Sequence, residues 1–203
     1  MNPARRHLPD WLKSYPPDTH TYTSYTERSM ERDQLDASIE VAEDNVDYMY
    51  RDYSAPRVAY AAGSRPLLEA IVDQVCHGLG NDAERAIALV RWRRANYRHI
   101  GKCGLGTEED IILGGYSMCH DASRTLIILA QVAGLGARMV LGLNNAARSG
   151  HTLTEIHVDG QWAIFDPSPG LPYAFLRTAA GRWVSAWELR QDPALAAACP
   201  TEW

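Results

Sequence analysis

The chain has 203 residues, of which 46% are hydrophobic and 22% charged. That length suits one ordinary domain, or one domain carrying an arm, and that composition supplies a buried core, which excludes a wholly disordered chain, a collagen or a coiled rod. With 20 basic against 25 acidic residues the formal charge is −5, so there is no global electrostatic pull toward nucleic acid or an anionic membrane.

The N-terminus, Met1-Asn-Pro-Ala-Arg-Arg-His-Leu-Pro, is followed by no apolar run of signal or membrane-spanning length, which predicts a cytoplasmic protein with reduced thiols. Residues 1–60 place Pro16-Pro17 among Tyr15, Tyr22, Tyr25, Tyr48, Tyr50 and Tyr53, and acidic residues dominate from Glu27 to Asp52. Aliphatic residues are too sparse there for an independent core, so these residues are expected to form an acidic, tyrosine-rich arm packed on a single domain over 61–203. After Pro66, the spacing of Leu67, Leu68, Ile71 and Val75 predicts a helix stopped by Gly78 to Gly80. Asn81 followed by Glu84 resembles a capping box, and Ala86, Ile87, Val90 and Tyr97 mark one face of a second helix. Its basic face (Arg85, Arg91, Arg93, Arg94, Arg98) is expected to be solvated. A loop rich in glycine and acid is expected from Gly101 to Gly115. A third helix follows, ended by Gly134-Leu-Gly136, with Ala122, Leu126, Leu129, Ala130 and Ala133 on its apolar face. Ala137–Leu143, His151–Val158 and Gln161–Asp166 read as strands, with Asn144–Gly150 a loop and Asp159-Gly160 a hairpin turn. Trp183, Trp187 and Ala194–Ala198 suggest a closing strand and a short helix. A helix packed on an antiparallel sheet is α+β.

Cys119 opens the third helix. Gly114 and Gly115 permit a tight turn, Ser117 is the expected N-cap, and the thiol then meets unpaired backbone N–H groups and the positive end of the helix dipole. That environment favours a thiolate and offers donors for a developing oxyanion. A small buried cysteine explains the same position equally well. The hairpin separates the two. With Asp159-Gly160 as its loop, paired residue numbers sum to 319, so Leu153 opposes Asp166 and His151 opposes Ser168. Side chains alternate, so His151, Leu153, Glu155 and His157 share one face with Asp166, Ile164 and Trp162. His151 and Asp166 become diagonal neighbours with Cβ atoms roughly 7 Å apart, close enough for an imidazole–carboxylate hydrogen bond. The pair is expected on the face that covers the helix of Cys119, an arrangement of nucleophile, base and orienting acid suited to thiol acyl transfer.

Three blocks carry a specific resemblance: Gly-Gly-Tyr-Ser-Met-Cys119-His-Asp121, then Ala-Gly-Leu-Gly-Ala-Arg138-Met-Val, then Gly150-His151-Thr-Leu-Thr-Glu155-Ile-His-Val-Asp159-Gly160-Gln-Trp162-Ala-Ile-Phe-Asp166-Pro167. Over roughly residues 66–170 the chain resembles the transglutaminase-like superfamily. The resemblance implies a papain-like fold, with Cys119 as nucleophile, His151 as general base and acid, and Asp166 orienting His151. Leu153 departs from the aromatic residue common two positions after the histidine. Some members take a second oxyanion donor from an upstream tryptophan indole; Trp92 and Trp11 fill no such place here, and the donor stays unassigned.

Asp121 is read as a helix-dipole partner, and Glu155 as half of a buried salt bridge to Arg124 or Arg138. His120 and His157 read as ordinary polar residues and Cys199 as a bystander. Cys76-His77 and His99-x-x-x-Cys103 lack the repeated spacing of a zinc site, so no metal or cofactor is expected. The expected protein is a cysteine-nucleophile enzyme acting on an amide or thioester, carried by a peptide or a carrier-bound acyl group. It would be an intracellular acyltransferase, amide-forming enzyme or amidase. A cysteine peptidase of the same fold, a degenerate binding module and a metal-dependent hydrolase are the alternatives.

Overall fold

The computed structural model describes residues 43, 47, 50, 61–96, 98–99, 106–144, 149–168 and 173–198. The rest of the proposed arm, Trp11, Cys103 and Cys199 lie outside them. In chain order the elements are α1 (Pro66–Val75), α2 (Asp82–Ala95), β1 (Arg98–His99), α3 (Glu108–Gly114), β2 (Tyr116–Ser117), α4 (Cys119–Val132), β3 (Ala137–Asn144), β4 (Ser149–Val158), β5 (Gln161–Phe165), α5 (Ala186–Gln191) and α6 (Leu195–Ala198). The architecture is α+β, with a central helix packed on an antiparallel sheet.

Local chemistry explains the boundaries. Pro66 opens α1, where its missing N–H has no intrahelical partner to lose. At α2 the Glu84 N–H donates to Asn81 Oδ1 at 2.8 Å. The Glu84 carboxylate accepts from Gly80 N rather than from Asn81 N, so the expected box closes one residue early. The region expected to be a loop from Gly101 to Gly115 contains α3. Thr107 and Asp110 form a full capping box, three acids occupy the first turn, and Gly115 ends the helix at φ 72°.

The three-stranded sheet runs β3-β4-β5, antiparallel throughout. Val158↔Gln161 through Thr154↔Phe165 hold the register expected from the sequence. Asp159 (φ 51°) and Gly160 (φ 80°) both occupy the left-handed region that a two-residue type I′ turn demands.

α4 packs on one face of this sheet. Leu126, Leu129 and Ala130 join Ala137, Ile156, Val158, Ala163 and Phe165, with α1 and α2 completing the same core. Leu153 and Ile164 face the opposite side, where Leu176 and Val184 cover them. The expectation that the His151 face covers α4 is therefore corrected: the even-numbered residues of β4 meet the helix, and His151 lies on the other face. The tail also departs from a regular closing strand. It meets β5 through bonds such as Ile164 N–H to Val184 O (2.9 Å), and forms isolated bridges at Phe165↔Phe175 and Arg177↔Trp183.

Candidate active site

Cys119 is the first residue of α4, so its backbone N–H is one of the four with no carbonyl partner inside the helix. Met118, not Ser117, is the N-cap. Ser117 is held back in β2, which pairs parallel to β1 through His99↔Ser117. Capping comes from the other direction: Asp121 reaches back and accepts from Met118 N at 3.3 Å, while its other oxygen lies 3.8 Å from Arg124. The dipole role expected for Asp121 thus acquires a specific hydrogen bond.

β5 brings the thiol and imidazole together by stopping early. Its last pair is Thr154↔Phe165, so the edge of β4 at His151 and Thr152 has no β5 neighbour. The first turn of α4 occupies that edge. Ser123 Oγ donates to Thr152 O at 3.0 Å. The Cys119 thiol comes beside Thr152 and the His151 ring, whose influence holds its pKa down against burial. The thiol therefore meets His151 at the strand edge although the helix lies on the opposite face.

Behind His151 sits Asp166, fully buried. Asp166 Oδ2 lies 2.7 Å from His151 Nε2, and Oδ1 accepts from Ser168 N at 2.8 Å. A buried carboxylate facing Nε2 fixes the proton on that nitrogen and leaves Nδ1 for the thiol. Asp166 N–H donates to Ala174 O at 2.7 Å, so the residue is held by its backbone as well.

The electrostatics agree with this geometry. Burial pushes the Cys119 thiol up, but the Thr152 backbone hydrogen bond and the His151 ring outweigh it and hold the thiol below its ordinary value. The hydrogen bond to Asp166 raises His151 above the ordinary histidine range, against the opposing effect of burial. A lowered thiol and a raised imidazole beside it both move the pair toward thiolate and imidazolium.

Glu155 is fully buried and forms the salt bridge expected of it, to Arg138 (2.7 Å) rather than Arg124. It also accepts from Ala186 N (2.7 Å) and from Tyr50 OH (2.9 Å). Arg138 lies over the Trp162 ring at 3.9 Å and over Tyr50 at 4.7 Å. The basic face expected to be solvated on α2 is corrected at two positions. Arg93 is fully buried and donates to Thr125 Oγ1 at 2.6 Å. Arg94 donates to the carbonyls of Asp166 and Tyr173. Trp92 packs against the main core. His120 and His157 are both lowered, chiefly by burial, and His157 stacks edge-on to Trp162. Among the described residues no group of three histidine, cysteine or acidic side chains is placed to hold a metal. A cavity of about 590 Å³ lined by Cys76, His77, Asp73, Arg85 and Ala133 lies at the far end of α4. Fourteen helical residues place it about 20 Å from Cys119.

A thiol at a helix N-terminus, an imidazole at a strand edge and a buried carboxylate behind it, on a helix-on-sheet core, define a cysteine-based enzyme of the papain-like fold. Residues 69–167 match the model of the transglutaminase-like superfamily. No curated protein matches the chain. Among solved structures, a candidate cysteine protease from Cytophaga hutchinsonii is similar at 18% identity and TM-score 0.48, over 66% of this chain and 45% of that one. The periplasmic domain of TgpA from Pseudomonas aeruginosa is similar at 18% identity and TM-score 0.45, over 55% and 45%. A structure described as a TGase is similar at 14% identity and TM-score 0.43, over 73% and 42%. The aligned part is less than half the length of each of these structures.

Proposed function

We propose that the chain is an acyl-transfer enzyme in which Cys119 is the nucleophile, His151 the general base and acid, and Asp166 the residue that orients His151. The observation that carries this is the 2.7 Å pairing of the His151 ring with a fully buried Asp166 carboxylate, beside a Cys119 thiol at the N-terminus of α4 whose pKa the His151 ring helps to lower. The Cys119 thiolate attacks the carbonyl carbon of an amide or thioester. The resulting oxyanion is met by the Cys119 backbone N–H, which the helix leaves unspent. The tetrahedral intermediate collapses with cleavage of the C–N or C–S bond, and the His151 imidazolium gives its proton to the departing nitrogen or sulfur. Neutral His151 then takes a proton from the incoming water or amine, which attacks the thioester and releases Cys119 as thiolate. Water gives hydrolysis and an amine gives a new amide, with the same three residues in either outcome.

Among the described residues no helix is long and apolar enough to cross a membrane. Four cysteines in 203 residues are far from a disulfide framework, which supports a cytoplasmic setting with a reduced thiol. Residues 1–60 are the proposed source of substrate selection, and the hydrogen bond from Tyr50 to Glu155 ties them to the core.

Brief iodoacetamide treatment near pH 6, read by mass spectrometry, tests the assignment. Cys119 should be alkylated at least tenfold faster than Cys76, whose thiol burial pushes up, and His151→Ala should abolish the difference. Equal rates at the two cysteines in the unaltered protein would refute the assignment.

A further inference from the structure

The guanidinium of Arg94 sits in the last turn of α2, where a basic side chain ordinarily interacts with the helix's own carbonyl end. It does something else here. Arg94 NH1 donates to Asp166 O at 3.2 Å and to Tyr173 O at 2.7 Å. Asp166 follows β5, and Tyr173 precedes the tail residues that bond along it. The Asp166 N–H to Ala174 O bond and the Phe165↔Phe175 bridge join the same two stretches. Asp166 is therefore held at four points: its N–H by Ala174, its carbonyl by Arg94, Oδ1 by Ser168 and Oδ2 by His151. Three of those partners lie in the sheet layer or the segment leaving it. Among the described residues Arg94 is the hydrogen-bond partner that ties Asp166 to the helical layer, the layer that also carries Cys119.

From this geometry we infer that Arg94 is a positioning residue for the Cys119–His151–Asp166 site, one that fixes the Asp166 main chain against the helical layer and so sets the angle at which its carboxylate meets His151. The inference rests on the function proposed above and deepens it. Both bonds leave NH1, whose two N–H groups are fixed in the guanidinium plane, whereas an ammonium is a point on a flexible stem. Burial holds the Arg94 pKa below its ordinary value, against the attraction of the Asp166 carboxylate. Loss of the tie frees the peptide that carries Asp166, and a displacement of about 1 Å at an orienting group costs up to about 100-fold in a reaction that depends on alignment.

The test uses the full chain and needs no substrate. The second-order rate of Cys119 alkylation by iodoacetamide is followed from pH 4 to 9 in the unaltered protein, Arg94→Gln, Arg94→Lys and His151→Ala. His120, Asp121 and Arg124 on α4 are the same in every variant. The expected result is an acid limb displaced upward by about one pH unit in Arg94→Gln, read as roughly tenfold slower alkylation at pH 6. Arg94→Lys should fall between, at about threefold, since one ammonium reaches one carbonyl better than two. If Arg94→Gln does not fold, Arg94→Lys alone decides. A variant profile superimposable on the unaltered one would overturn the inference. So would a lowered melting temperature with an unmoved acid limb, which would make Arg94 a structural tie only. Failure of the proposed function is a separate outcome: alkylation of the unaltered protein that His151→Ala does not slow.

Discussion

Replacing Asp166 by Asn keeps the size and shape of the side chain and removes its charge. Asp166 is fully buried, and its hydrogen bond is the largest cause of the raised His151 pKa. A hydrogen bond to a charged group contributes about 1.5–3 kcal/mol. The His151 side chain is 37% exposed, so solvent screening favours the lower end, about 1.5 kcal/mol or one pKa unit. The sign follows from linkage. A histidine raised in the folded state contributes stability that is fully present below about pH 6.5 and is lost as the pH climbs through the folded value. Asp166→Asn should therefore lower the His151 pKa by about one unit. It should cost about 1.5 kcal/mol of stability at pH 5.5, with the cost shrinking above about pH 8. Titration of the His151 ring by ¹H–¹⁵N NMR gives the first quantity, and urea unfolding at pH 5.5 and 8.5 gives the second. An unchanged His151 pKa, or the same loss at both pH values, would refute the account of the pair.

Other consequences can be checked alongside. Ser123→Ala removes the donor to the buried Thr152 carbonyl and should cost about 1–3 kcal/mol by urea unfolding, with slower Cys119 alkylation because Thr152 also holds the thiol. Glu155→Gln leaves the Arg138 guanidinium without its carboxylate in a site where Glu155 is fully buried. The loss should reach about 3 kcal/mol, seen as a lower melting temperature, whereas Tyr50→Phe should cost about 1 kcal/mol. Gly160→Ala places a Cβ at φ 80° in the hairpin turn and should destabilise by about 1–2 kcal/mol with no change in the pH profile of alkylation.

How much of this was legible depended on the kind of pattern each residue belongs to. The hairpin could be read because Asp159-Gly160 permits few backbone conformations, and one turn then fixes every pair along β4 and β5. His151 and Asp166 were matched by that register alone. Cys119 could be placed at a helix start because Gly114-Gly115 precede it and Ala122, Leu126, Leu129 and Ala130 follow at helical spacing. Alternation shows which residues share a face but not which layer covers that face, so α4 was expected on the wrong side of the sheet. Arg93 and Arg94 depart from the expected solvated face for a related reason. Their acceptors, Thr125, Asp166 and Tyr173, lie 32 to 79 positions away, and no local pattern on α2 announces them. The α3 signal was present in Thr107 and Asp110, with Ile111, Ile112 and Leu113 behind them, but the surrounding glycines concealed it. The tail does not alternate like a strand because it meets β5 through scattered backbone bonds and the isolated bridge Phe165↔Phe175.

The most direct measurement is intact-mass spectrometry of the protein offered peptide amides and carrier-bound thioesters in turn, with rapid acid quenching. One donor class should add the mass of its acyl group, peptide mapping should place it on Cys119, and Cys119→Ala should show none. His151→Ala should form the adduct slowly. An adduct that persists in Cys119→Ala at the same rate and site would contradict the claim that Cys119 is the nucleophile, as would a folded protein that consumes either donor class without passing through Cys119.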